Sequence, residues 1–126
     1  MVLNGKVNSR LEAVVRLLVR GSEDRVLELE AVVDTGFSGF LSLPHGEIAG
    51  LGLVPRGEVL GILADGTEGS FPVYRGIVLW HGQPLVATIT VLENTPLLGM
   101  SLLHGSEFAM QVVEGGEVII HELPSS

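Results

Sequence analysis

The sequence predicts a single, mainly β domain with one or two short helices. Its 126 residues, 1–126, are expected to form one domain, because a chain of this length builds one hydrophobic core. The composition has 46% hydrophobic residues, 17 glycines and few aromatics, which suits many short strands joined by tight turns. Apolar and polar residues also alternate along several segments, and a period of two is typical of half-buried strands.

The first alternating segments predict a β-hairpin that leads into an acidic residue. Apolar residues occupy every second position from Leu11 to Val19, and residues 21–24 read as a turn. Alternation resumes over 27–33 and ends directly at Asp34. We therefore expect two antiparallel strands, the second of which presents Asp34 at its end.

The middle of the chain predicts a short helix and a projecting hairpin. Pro44 favours a helix start, and the glycines at 50 and 52 limit that helix to one or two turns. Strand-like segments 58–63 and 69–74 flank residues 64–67, where Asp-Gly favours a primed turn. Pro72 cannot donate to a sheet ladder, which indicates an edge or a projecting hairpin.

The rest of the chain predicts more strands and a second short helix. Segments 77–80 and 85–92 form a strand pair around a turn that begins at His81. A helix-like segment follows at 101–104, and the last strands are expected at 108–113 and 118–120.

Asp34 is the first candidate for chemistry. It follows an apolar run and precedes Thr35, Gly36 and further apolar sequence, so we expect its side chain to be half buried. Acids in such positions are candidates for proton transfer. The tripeptide alone equally fits an ordinary turn, because Asp and Gly are the commonest turn formers. The segment from Thr95 to Met100, some sixty residues downstream, favours the functional interpretation.

These two segments resemble a known enzyme family. Asp34-Thr35-Gly36-Phe37, the hairpin around residues 64–67 and Leu98-Gly99 before a short helix resemble the retropepsin-like aspartic proteases, and within them a bacterial Asp-Thr-Gly-Phe group. The resemblance covers roughly residues 25 to 121. It implies the acid protease fold, a closed β-barrel, and aspartic-type endopeptidase activity on a peptide or protein substrate.

The resemblance also implies roles for individual residues. The family chemistry needs two carboxyls, and this chain has one Asp-Thr-Gly, so a homodimer with the catalytic Asp34 from each subunit is implied. Thr35 would bond across the two-fold axis and Gly36 would leave room beside the carboxyls. Leu98 and Gly99 would brace the loop from beneath.

By the same resemblance, the hairpin tip at Ala64, Asp65 and Gly66 is the flap that contacts the substrate.

At two positions this sequence differs from the retroviral members of the family. Phe37 stands where they carry a small residue, so the subsite there is expected to differ. Met100 stands where they carry arginine, so the salt bridge of that arginine is not carried over.

Charge and composition exclude several other functions. A formal charge of −8 disfavours nucleic acid binding, and the absence of cysteine excludes thiol catalysis and disulfides. The four histidines lack ligand spacing, so surface or capping roles are expected, with no metal and no cofactor. No apolar run reaches membrane-spanning length, and the first twenty residues lack a signal pattern, which predicts a cytoplasmic protein without a membrane partner.

One alternative remains open at the level of sequence. A dimeric β-domain could keep the fold and the Asp-Thr-Gly tripeptide but bind a peptide or protein partner in the same cleft without hydrolysing it. An intact tripeptide is necessary for catalysis and does not by itself establish it.

Overall fold

The computed structural model of the chain describes residues 1–62 and 65–124. Within those ranges it contains ten strands, two short helices and a 3₁₀ turn at Ser22–Asp24. The mainly β prediction is confirmed. The strands are β1 (Val2–Val7), β2 (Ala13–Arg20), β3 (Val26–Val33), β4 (Leu41–Leu43), β5 (Pro55–Ile62), β6 (Glu68–Trp80), β7 (Gln83–Val91), β8 (Leu97–Leu98), β9 (Ser106–Met110) and β10 (Glu117–Glu122), and the helices are α1 (His45–Gly50) and α2 (Met100–Leu103).

Six of these strands close into a ring. Neighbouring strands follow the order β6, β7, β4, β8, β3 and β2, and β2 returns to β6 through the pairs Val19 with Val78 and Arg20 with Ile77. Strand β5 extends this ring beyond β6, and β1, β10 and β9 extend it beyond β2. The two ends of the sheet are therefore β5 and β9.

The core fills the inside of the ring and the inner face of the β1–β10–β9 extension. The apolar residues at every second position of a strand form this core, because successive side chains of a strand point to opposite faces. In β2 every second residue is buried, and the same holds in β10 at Val118 and Ile120. The largest fully buried side chains are Leu41, Leu43, Ile48, Leu51, Ile89, Leu98, Leu102, Ile120, Val15, Val19, Val78 and Val118.

The predicted hairpin before Asp34 is confirmed as β2 paired with β3 over seven residue pairs. Its start differs from the prediction. Leu11 is exposed and has a φ of 63°, so it belongs to the preceding turn and the strand begins at Ala13. In that turn the side-chain oxygen Oδ1 of Asn8 accepts hydrogen bonds from the main-chain N–H groups of Arg10 and Glu12.

Strand β1 was not predicted from the sequence, because Asn4, Gly5 and Lys6 interrupt its alternation. It pairs with β10 along five residues and with β2 along three. Gly5 permits the contact with β2, since a β-carbon there would lie only 2.1 Å from the main-chain oxygen of Val14.

The hairpin of β5 and β6 projects from the ring, as predicted. Strand β7 pairs with β6 only from Val73 onward, so no second strand requires the N–H group that Pro72 lacks. The last described residue pair of this hairpin is Ile62 with Glu68. Ala64, a predicted flap residue, lies outside the described residues, as does Leu63.

Both short helices lie near their predicted positions. Pro44 precedes α1 with a φ of −63° and a ψ of 156°, so it is the residue before the helix rather than its first member. Gly52 adopts a φ of 66° just beyond the helix, which suits glycine and ends the segment. None of the helices in residues 1–62 and 65–124 is long and apolar enough to cross a membrane.

Candidate active site

Asp34 lies where two strands from distant parts of the sequence run side by side. Strand β8 pairs in parallel with the end of β3, matching Val32 with Leu97 and Val33 with Leu98. The main-chain N–H of Val32 donates to the oxygen of Pro96, and that of Asp34 donates to the oxygen of Leu98, both at 2.9 Å. Strand β8 thus fixes the backbone of Asp34 directly.

The chain turns sharply after Asp34. Oδ1 of Asp34 accepts a hydrogen bond of 2.9 Å from the N–H of Gly36, and the N–H of Phe37 donates to the main-chain oxygen of Asp34 at 3.1 Å. Asp34 is half buried, as predicted, whereas Thr35 and Gly36 are exposed. A β-carbon at Gly36 would lie 3.2 Å from Oδ1 of Asp34, so glycine leaves this carboxylate room.

The geometry at Asp34 agrees with both interpretations of the Asp-Thr-Gly tripeptide, as a local turn and as a specifically held acid. The side chain of Asp34 does form the local turn that Asp-Gly sequences favour. The same residue is also held by a strand 64 positions further along the chain, which an ordinary turn does not require.

Gly99 and the residue after it cross beneath the Asp34 loop, which we define as residues 34–40. The N–H of Gly99 donates to the oxygen of Phe40 at 3.0 Å, and the N–H of Met100 donates to the oxygen of Phe37 at 2.8 Å. Leu98 is fully buried. The structure therefore places Leu98 and Gly99 against the loop that carries Asp34, Thr35 and Gly36.

Phe37 packs inward, against two glycines. A β-carbon on Gly39 would lie 2.6 Å from Cζ of Phe37, and one on Gly99 would lie 2.7 Å from its Cδ2. The half-buried ring thus covers the place where the loop and the downstream segment cross. Sequence reasoning treated Phe37 only as a changed subsite residue and missed this packing. The available signal was the occurrence of Gly39 two residues after Phe37.

Ser42 is a second residue that sequence reasoning missed. It lies in β4, is fully buried, and its Oγ accepts a hydrogen bond of 3.0 Å from the N–H of Leu97. Strand β4 pairs antiparallel with β8 at this point. Ser42 therefore holds the start of β8, and no local pattern marks a single serine in an apolar run as structural.

At the predicted flap, Asp65 and Gly66 are exposed at the tip of the projecting hairpin. Oδ1 of Asp65 accepts hydrogen bonds from Oγ1 of Thr67 at 2.6 Å and from its N–H at 3.0 Å. These bonds, the side-chain bond first, lower the pKa of Asp65 from its usual value. Across residues 1–62 and 65–124, no hydrogen bond joins Asp65 or Gly66 to the Asp34 loop.

His81 departs from the expectation that each histidine has a surface or capping role. It is 5% exposed and occupies a two-residue turn with Gly82, both with positive φ. A hydrogen bond of 2.9 Å joins its Nε2 to Oγ of Ser106, and its ring meets that of Trp80 edge-on. Burial lowers the pKa of His81. In the described part of the chain, no cluster of His, Asp and Glu is placed to hold a metal ion.

A surface depression of about 360 Å³ lies beside the Asp34 loop. It runs from Thr35 past α2 to β9 and contains no Asp, Glu, Lys or Arg. Its lining residues are Thr35, Met100, Leu103, His104, Gly105, Ser106 and Phe108. We call this surface the α2–β9 depression.

The chain is similar in structure to a retropepsin-like aspartic protease from Rickettsia conorii, with a TM-score of 0.62. The match covers 99% of this chain and 93% of the Rickettsia conorii chain at 17% sequence identity. It therefore confirms the retropepsin-like fold that the sequence predicted. No protein-family model matches the sequence, and no curated protein gives a significant match.

Proposed function

We propose that this chain is an aspartic-type endopeptidase that acts as a homodimer, with Asp34 of each subunit as a catalytic carboxyl. One observation carries the proposal: a half-buried acid is bonded through its backbone to β8 and through its carboxylate to Gly36, in a retropepsin-like fold. Asp34-Thr35-Gly36-Phe37 supports assignment to the bacterial Asp-Thr-Gly-Phe group. The protease from Rickettsia conorii supports the choice of reaction.

The proposed reaction uses two carboxyls that share one proton. Two carboxyls at close range resist ionising together, so one is a carboxylate while the other stays protonated. The carboxylate takes a proton from a water molecule as the water oxygen bonds to the scissile carbonyl carbon, and the protonated carboxyl donates a hydrogen bond to the carbonyl oxygen. Proton transfer to the amide nitrogen then allows the C–N bond to break and releases the two peptides.

A second copy of the chain supplies the second carboxyl. An isologous two-fold interface brings a residue opposite its own copy, so one Asp-Thr-Gly per chain suffices. Exposed Thr35 and Gly36 support this arrangement, because they leave the outer side of the loop free for the partner's loop. Thr35 then donates its hydroxyl across the axis.

The projecting hairpin is the part proposed to cover a bound peptide. Its tip carries Asp65 and Gly66, and its side chains Leu60 and Ile62 are each 79% exposed. Apolar groups left in water at this level favour contact with an apolar ligand. A peptide or protein segment with apolar side chains is therefore the proposed substrate.

The test compares two Asp→Asn variants at the opposite ends of β3. Asp34→Asn keeps the size of the side chain and an oxygen for the Gly36 bond, but it removes the shared proton. Asp24→Asn is the matched control, since Asp24 is exposed, has a φ of 59° that asparagine tolerates, and precedes β3. Hydrolysis of a mixed peptide library is measured from pH 4 to 8, with thermal unfolding of each protein.

We expect Asp34→Asn to lower hydrolysis at least about 100-fold while the folded state persists, because essential acid–base groups contribute that much or more. Asp24→Asn should cleave at the wild-type rate. Residual cleavage above about 1% in Asp34→Asn contradicts the catalytic assignment. A wild-type protein that binds peptides and cleaves none supports the binding-domain alternative instead.

A further inference from the structure

A depression of about 450 Å³ on the outer face of the ring is lined by half of the arginines of the chain. They are Arg20 at the end of β2, Arg56 in β5 and Arg75 in β6. The sequence contains six arginines and 15 acidic residues, yet the lining of this depression contains no Asp or Glu. Positive charge is therefore concentrated at one place on a chain with a net charge of −8. We call this surface the arginine depression.

The sheet brings the three arginines together. Arg20 pairs with Ile77 of β6, and Arg75 lies two residues before Ile77 in the same strand. Paired residues and residues two apart point to the same face of a sheet, so the two arginine side chains share the outer face, with Cα atoms about 7–8 Å apart. Arg56 lines the same depression from the irregular first part of β5. The three guanidinium groups can therefore contact one anion.

These arginines have no acidic partner within residues 1–62 and 65–124. The ion pairs of arginine side chains there involve Arg16 and Arg25, and none of the hydrogen bonds there has the guanidinium group of Arg20, Arg56 or Arg75 as its donor. A guanidinium group carries five N–H donors in a planar fork that matches the oxygens of an anion. Like charges gathered in this way repel one another. An anion bound from solution would remove that repulsion.

The remaining lining and the size of the arginine depression indicate what kind of anion fits. Its apolar side chains include Leu53, Ile77 and Val86, and Val86 is 62% exposed. Apolar groups left in water favour a ligand that has an apolar part of its own. A volume of about 450 Å³ lies within the range of small-molecule sites. The arginine depression therefore suits a small organic anion.

The number of arginines favours a phosphate group over a carboxylate. One guanidinium fork is enough to bind both oxygens of a carboxylate. A phosphate monoester instead carries a charge of about −1.5 to −2 at neutral pH and has three strong acceptor oxygens. Three guanidinium groups match this charge and these oxygens more closely.

We propose that the arginine depression binds a small phosphate monoester, whose phosphate contacts the three arginines and whose apolar part packs against Ile77 and Val86. This site lies far from the candidate active site. Arg20 pairs with Val26 at the start of β3, whereas Asp34 follows the end of β3, and eight strand residues span about 25 Å. Binding at this site does not depend on the proposed hydrolysis.

Phenyl phosphate is the probe, because it has both a phosphate monoester and an apolar ring. Benzoate keeps the ring but carries a carboxylate, and inorganic phosphate lacks the ring. Calorimetric titrations are made at constant ionic strength, since salt screens exposed charges. We expect one phenyl phosphate to bind per chain and to raise the unfolding temperature. Benzoate should bind about 10-fold more weakly and inorganic phosphate about 5-fold more weakly. Benzoate binding as tight as that of phenyl phosphate contradicts the preference for phosphate.

Three single variants, Arg20→Gln, Arg56→Gln and Arg75→Gln, test the assignment of the site. Each should weaken phenyl phosphate binding about 10-fold or more, because hydrogen bonds to charged groups contribute that much. Arg16→Gln is the matched control, since it removes the same charge from the same face of β2 outside the lining. It should change the affinity less than about 2-fold. All four positions are exposed, so each variant should unfold near the wild-type temperature without ligand.

Arg75→Lys distinguishes a fork contact from general attraction to positive charge. Lysine keeps the charge but has no planar fork, so its affinity for phenyl phosphate should lie between those of the wild type and Arg75→Gln. Wild-type affinity in Arg75→Lys contradicts the fork contact.

Several outcomes overturn the site. These are no saturable binding of phenyl phosphate up to about 10 mM, unchanged binding in the three glutamine variants, and an equal loss in Arg16→Gln. Binding to vesicles that contain phosphatidic acid, with none to phenyl phosphate, contradicts a small-molecule ligand. Asp34→Asn should bind phenyl phosphate as the wild type does, whether or not the wild type hydrolyses peptides. Loss of binding in Asp34→Asn would place the ligand at the candidate active site instead.

Discussion

Gly99 lies directly against Phe37, so closely that a β-carbon on Gly99 would be 2.7 Å from both Cδ2 and the main-chain oxygen of Phe37. The main-chain oxygen of Gly39 would be closer still, at 2.2 Å. Because two of these atoms belong to the backbone, the Asp34 loop would have to move to admit any side chain at position 99. The position of the candidate catalytic acid therefore depends on a glycine 65 residues away.

Gly99→Ala should destabilise the protein and displace the Asp34 loop. Forcing one extra carbon into a packed site costs about 1–3 kcal/mol or more. The control is Gly46→Ala in α1, where a β-carbon would meet nothing within 4 Å and helix propensity improves. Chemical denaturation measures both changes. An equal or higher stability of Gly99→Ala would contradict the tight crossing described here.

Ser42→Ala should lower the free energy of unfolding by about 1–3 kcal/mol, because it removes the acceptor that the fully buried Ser42 provides for the N–H of the half-buried Leu97. Ser9→Ala is a suitable control, since Ser9 is exposed in the first turn. Hydrogen exchange at the amide of Leu97 should accelerate in Ser42→Ala alone. Unchanged exchange would show that β8 does not depend on this bond.

Much of the fold could be predicted because its hairpins are local. The β2–β3 pair and the β6–β7 pair show alternating or apolar runs that meet at a short turn, so sequence neighbours are also spatial neighbours. The closure of the strands into a ring could not be predicted from local sequence. The ring closes through β4 and β8, of three and two residues, whose partners lie far away in the sequence.

The candidate site, like the fold, could be predicted from the sequence only in part. Asp34, Thr35 and Gly36 could be singled out because their tripeptide follows an apolar strand, and Leu98-Gly99 because of a family resemblance. The roles of Phe37, Ser42 and His81 depend on contacts with residues distant in the chain, such as Gly99, Leu97 and Ser106. No local pattern encodes those contacts.

His81 should make stability fall as the solution becomes acidic. Burial, the largest cause, holds its folded pKa below the ordinary value of 6.5, and the N-terminus and His121 add to this while Glu122 opposes it. Below about pH 6.5 the unfolded chain therefore binds a proton that the folded chain refuses, until the lower folded pKa is reached. Above that pH the group makes no pH-dependent contribution.

Comparison with His81→Asn isolates this effect, because asparagine does not titrate here and tolerates the positive φ of 49°. Urea unfolding is measured for both proteins from pH 8 to 5. The wild type should lose more stability than the variant as pH falls through 6.5. Parallel curves would show that the burial of His81 does not affect its proton binding.

The central claim, that each active site needs Asp34 from two chains, is tested most directly by mixing subunits. Inactive Asp34→Ala chains are titrated into wild type at fixed wild-type concentration, well above the dimer dissociation constant, and subunit exchange is verified with mass-tagged chains. Random pairing through an isologous interface predicts that hydrolysis of one peptide falls to about one half at equal amounts and about one tenth at nine-fold excess. If exchange is complete and hydrolysis stays constant, each chain carries a whole site and the shared-carboxyl mechanism is wrong.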